Sequence, residues 1–87
     1  MNARALVARN LRRIRVRRQL SQEILAVDAA IDRSYVSRLE RGLENPTVTV
    51  LEKLARALDT DLTDFFRVPS KGELYPLPLR GGRKARR

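Results

Sequence analysis

Cysteine and histidine are both absent from the 87-residue chain. Without cysteine there is no disulfide framework and no thiol chemistry. Without histidine the commonest metal ligand and the commonest general base are missing. Only two tyrosines and two phenylalanines occur, too few for a platform on which single-stranded bases stack. No apolar run approaches the ~20 residues of a membrane-spanning helix. The arginines near the N-terminus are not followed by the apolar stretch of a secretory signal. The carboxylates are scattered over prospective helix caps and helix faces, so no catalytic constellation assembles. No catalytic residue, metal site, cofactor or membrane partner is therefore expected. The length and apolar content suit one small domain with a single core, soluble and cytoplasmic, with nucleoid association as the expected setting.

What is abundant is positive charge, a net +9 that points to a polyanionic partner. Its distribution is uneven. Residues 1–18 carry seven arginines and no acid, and residues 67–87 carry seven basic residues against Glu73 alone. Residues 19–66 hold five basic and nine acidic residues, so the middle of the chain is acidic. Non-specific attraction to phosphate should come mainly from the two ends.

The acidic middle contains the segment that organises the rest, Ser21 to Gly42, which reads as two short helices joined by a tight turn. Ser21 is an N-cap, and Leu25, Ala26 and Ala29 then share one helical face. Ala30 supplies a small residue at the bend and Ile31 a buried plug after it. Asp32 is a second N-cap, placing a carboxylate at the positive end of the next helix, over about residues 32–41. That helix buries Val36 and Leu39 and stops at Gly42, which suits a left-handed helix end. Its outward face carries Arg33, Ser34, Ser37, Arg38 and Arg41. A short polar helix with arginines at base-reading reach, braced by a preceding helix, is what major-groove recognition requires.

Around this segment, a first helix is predicted over Arg4 to about Arg18, with Val7, Leu11 and Ile14 as its core stripe. Its other faces carry Arg9, Arg12, Arg13, Arg17 and Arg18. These read as a solvated charged face from which one or two arginines reach phosphate. A fourth helix covers about Val48 to Leu58, with Val48, Leu51, Leu54, Ala55 and Leu58 facing inward. Asp61 caps a last short helix closed by Leu62, Phe65 and Phe66, of which the two adjacent phenylalanines cannot both face one core.

Asn10 to Phe66 resembles the lambda-repressor/Cro-like helix-turn-helix family of transcriptional regulators, of the xenobiotic-response-element type. The resemblance lies in LRRIRVRRQLSQ, the Leu25-Ala26 pair, Glu40-Arg41-Gly42, NPTVTVLEKLARAL and the closing LTDFF, in the family's order. It implies an all-α, compact five-helix bundle over residues 4–66 that binds double-stranded DNA as a homodimer. The dimer contact is expected in the helix 5 region, at Phe65 and Phe66. By family position Arg15 pairs with Glu40 and ties the first helix to the end of the recognition helix. Ile24 and Val27 stand where the family exposes polar residues, and Asp59 replaces a usual glycine.

Candidate base-reading residues are Arg33, Ser34, Ser37 and Arg38, since arginine pairs bidentately with guanine. Candidate phosphate contacts are Gln22, at a helix N-terminus, with Tyr35, Arg41, Asn45 and Thr47. Tyr35 has the alternative of packing its ring and leaving the hydroxyl wet, and Thr47 that of capping the fourth helix. Residues 67–87 form a separate Pro/Gly-containing basic tail, extended or disordered, in which Pro69, Pro76 and Pro78 rule out a continuing helix. The function expected is sequence-specific regulation of transcription on an approximately palindromic operator. Two alternatives stand beside it. One is a controller protein of a restriction–modification system, which the segment DRSYVSRLERG resembles. The other is an antitoxin-like regulator that holds a protein partner through its tail.

Overall fold

The computed structural model describes residues 2–70. They form four α-helices: α1 (Ala3–Arg17), α2 (Gln22–Ala29), α3 (Arg33–Glu40) and α4 (Val48–Leu58). The fifth helix is a single 3-10 segment, Leu62–Phe66, rather than an α-helix. No strand occurs among the described residues, so the fold is all-α. The expectations for the tail beyond Ser70, including its extended or disordered character, lie outside the described residues.

Helix starts follow the polar residues at their N-termini. Asn2 caps α1 by accepting from the Ala5 N–H (2.8 Å), Ser21 caps α2 through Ile24 (3.0 Å), and Thr47 caps α4 through Val50 (3.1 Å). Asp32 occupies the N-cap position of α3 without a side-chain cap, because its carboxylate accepts from the Ser34 hydroxyl instead. Its charge still lies at the positive end of the helix.

All four α-helices end on a residue with positive φ: Gln19, Ala30, Gly42 and Asp59. After each, the chain turns back onto the last helical turn, as in the Ile31 N–H to Ala26 carbonyl bond (2.9 Å) and the Thr60 N–H to Ala55 carbonyl bond (3.0 Å). Only Gly42 adopts this geometry without a steric penalty, which for an L-residue is roughly 1–2 kcal/mol. Ala30→Gly, at the bend of the helix-turn-helix, is expected to stabilise the protein by about 1 kcal/mol. Thermal unfolding followed by circular dichroism should show a midpoint roughly 4–8 °C higher.

The core takes Val7, Leu11 and Ile14 from α1, the three inward residues of α2, and Val36 and Leu39 from α3. The inward stripe of α4 and Phe65 complete it. α2 packs on α3 and α4, and α1 packs on α3 and on the 3-10 segment. Asn10, fully buried on α1, donates from Nδ2 to the carbonyls of Phe65 and Arg67 (both 2.9 Å). It thereby fixes the end of the 3-10 segment against the first helix.

Four side chains depart from the sequence reading. Val48 is 68% exposed, because the first turn of α4 projects beyond the core and its buried residues begin at Leu51. Ile31 is partly rather than fully buried at the edge of the core. Arg9 is buried rather than solvated; it lines a cleft of about 180 Å³ with Ala5, Ala8 and Gly42, whose small size leaves room for its long stem. Phe65 is fully buried within the protomer, so it is not available to a dimer contact. Ile24 and Val27 are exposed on the outer face of α2.

Candidate nucleic-acid interface

The angle of α3 against the bundle is fixed by a buried ion pair. Arg15 of α1 meets Glu40 of α3 in a two-pronged contact, Nε to Oε2 at 2.5 Å and Nη2 to Oε1 at 3.0 Å. The third arm of the guanidinium, Nη1, donates to the Leu20 carbonyl (2.8 Å). The two side chains are 8% and 3% exposed. The fork geometry and the extra acceptor are what a desolvated arginine–carboxylate pair needs to hold. The pairing expected from family position is therefore present.

Gln22 joins the same network, its Nε2 donating to Glu40 Oε1 at 3.0 Å. This contact was not legible from its place as an exposed helix-start glutamine. It fixes the amide while leaving the second Nε2 hydrogen available, and the residue remains half-buried at the N-terminus of α2.

On α3, Arg33 is exposed and only loosely associated with Glu23, 4.0 Å away. Ser34 is exposed, with its hydroxyl hydrogen given to Asp32, so it faces outward as an acceptor. Ser37 is half-buried on the same helix. Arg38 lies one turn on. Its Nε donates to Glu44 Oε2 at 2.7 Å and its guanidinium carbon lies 5.9 Å from the centre of the Tyr35 ring. Tyr35 packs its ring against the core from a half-buried position, the second of the two roles weighed from the sequence. Burial, and secondarily the Glu44 carboxylate, push its phenol above the usual tyrosine range, and Arg38 opposes them. The phenol thus stays protonated and able to donate at neutral pH.

Arg41 and Asn45 are exposed in the segment that leaves α3. Thr47 is exposed and caps α4, which uses a lone pair of its hydroxyl and leaves the hydrogen. The base-reading candidates thus share α3 with Tyr35, the other phosphate candidates lie at the start of α2 and in the segment after α3, and the contact of Glu44 with Arg38 is one that sequence reasoning missed. No group of three acidic or sulfur residues arranged to hold a metal occurs among the described residues. No described helix is long and apolar enough to cross a membrane.

Comparison with known proteins places this geometry in context. The helix-turn-helix family HTH_3 matches residues 11–65, which include every element of the site. Control protein C.BamHI of Bacillus amyloliquefaciens is 38% identical over 68 residues, covering 74% of this chain and 84% of that protein. The crystal structure of the restriction–modification controller protein C.AhdI from Aeromonas hydrophila superposes with a TM-score of 0.71 at 40% identity, over 72% of this chain and 96% of that one. The controller protein C.Esp1396I, solved as a tetramer with its natural 35 base-pair operator, gives a TM-score of 0.70 at 30% identity, over 76% of this chain and 87% of that one. Not every relative is so short: this chain spans only 41% of one curated Bacillus subtilis transcriptional regulator that it matches. The chain belongs to the HTH_3 helix-turn-helix family.

Proposed function

We propose that the protein is a sequence-specific regulator of transcription that binds double-stranded DNA as a homodimer, with α3 of each protomer in a major groove. The observation that carries this reading is the outward face of α3, where Arg33, Ser34, Ser37 and Arg38 lie on a helix locked by the Arg15–Glu40 pair. A rigid helix with two arginines is suited to guanine, and Ser34, as an acceptor, to a cytosine or adenine amino group. Gln22, Tyr35, Arg41, Asn45 and Thr47 supply donors for the phosphates on either side. Phe66, 44% exposed beside the buried Phe65, is the apolar residue of the 3-10 segment left for a two-fold contact. On this reading the protein regulates by occupancy, in the cytoplasm, and is not an enzyme, as its relatives named as transcriptional regulators and controller proteins suggest.

Control of restriction–modification genes is a second reading. The near full-length correspondence with C.AhdI and C.BamHI favours it. An antitoxin-like role would rest on the tail and has no support among the described residues.

A two-fold dimer sets its recognition helices about 34 Å apart, one turn of DNA. Hydroxyl-radical footprinting on a bound duplex should therefore protect two half-sites centred about 10 base pairs apart. Inserting about half a helical turn between them should reduce binding to the level of a single half-site. Equal binding with and without the insertion would contradict the dimeric reading.

A further inference from the structure

We infer that Glu44 is a positioning residue for base reading: its carboxylate pins Arg38 by Nε so that the two terminal guanidinium nitrogens meet a guanine end-on. The inference rests on the DNA-reading function proposed above and adds a specificity determinant that lies outside the recognition helix.

The local chain path creates the contact. α3 closes with the Gly42 N–H on the Leu39 carbonyl (3.1 Å) and the Leu43 N–H on the Arg38 carbonyl (3.0 Å), with Gly42 at φ +76°. This turn folds the chain back over the last helical turn and brings Glu44, six residues on, to 2.7 Å from Arg38 Nε. The side chains are 41% and 26% exposed, so the pair stands at the rim of the surface rather than wholly in water. The Tyr35 ring, 5.9 Å from the guanidinium carbon, restrains the same group from a second side.

Only Nε is engaged. Among the described residues no hydrogen bond is formed by Arg38 Nη1 or Nη2. Those two nitrogens carry the parallel donors that match guanine O6 and N7. An unrestrained arginine at the edge of a groove finds a phosphate in any sequence, and such contacts carry no base information. Pinning Nε leaves the end-on fork for a base edge. The carboxylate beside it also repels phosphate, so the sequence-independent mode is weakened while the guanine contact is kept.

The test uses the full chain and the duplex enriched from a random pool, with single base-pair changes at each position and a non-operator duplex as reference. For the parent, changing the guanine read by Arg38 should weaken binding by about 10-fold. For Glu44→Ala that penalty should shrink to about 2-fold, while affinity for non-operator DNA rises severalfold. Arg38→Ala should abolish the same preference, and adding Glu44→Ala to it should change the preference no further. Helical content and melting midpoint of Glu44→Ala should match the parent, since the residue lies in a surface loop. A Glu44→Ala variant that keeps the parent's preference at every position overturns the inference and leaves the regulatory reading standing. A parent that enriches no sequence overturns both.

Discussion

Arg15→Ala is expected to destabilise the fold by about 3–5 kcal/mol, because it leaves the Glu40 carboxylate buried without its counter-charge. Glu40→Ala should cost a similar amount, by stranding the guanidinium. For a domain of this size each kcal/mol moves the melting midpoint by roughly 4–8 °C, so a fall of at least about 12 °C is expected from either change. Gln22 cannot compensate, since it donates to Glu40 but carries no charge. Replacing both partners by apolar residues, as in Arg15→Met with Glu40→Leu, should recover most of the loss. Thermal or urea unfolding of the four proteins measures both the losses and the recovery. Single variants that unfold within about 1 kcal/mol of the parent would contradict the reading of this pair as the brace between α1 and α3.

The adjacent phenylalanines should separate just as sharply. Phe65→Ala removes a fully buried ring at the point where Asn10 holds the 3-10 segment to α1. Deleting a buried phenylalanine costs about 3–5 kcal/mol. Phe66→Ala, on the exposed side, should change the stability of the protomer by less than about 0.5 kcal/mol. If Phe66 lies in the dimer contact, its removal should instead raise the dissociation constant of the dimer, measured by sedimentation equilibrium. A Phe66→Ala protein that dimerises like the parent would move the contact elsewhere.

Much of this architecture is legible in the order of residues because it is written locally. The helix starts at Ser21 and Thr47, the stop at Gly42 and the stripe from Leu51 to Leu58 each depend on neighbours within one or two turns. The Arg15–Glu40 pair spans 25 positions and could be anticipated only through resemblance to a family. Contacts made by the folded path itself stayed hidden. Asn10 finds carbonyls 55 and 57 residues away, and no periodicity marks such a bond. Arg38 and Glu44 are six apart, a spacing that brings nothing together on a helix and does so here only through the turn at Gly42. Val48 fits the helical stripe in phase, but a stripe does not say where the core ends. Base-reading roles are of another kind, since they depend on a partner molecule as well as on the chain.

The most direct test of DNA reading by α3 is selection of bound duplexes from a random pool, by the parent and by the double variant Arg33→Ala with Arg38→Ala. A two-fold-symmetric site should emerge for the parent. The double variant should lose that site yet retain weak, salt-sensitive binding, because the proposed phosphate-contacting residues are unchanged. No enriched sequence for the parent, or the same site enriched by the double variant, would contradict the assignment of base reading to these arginines.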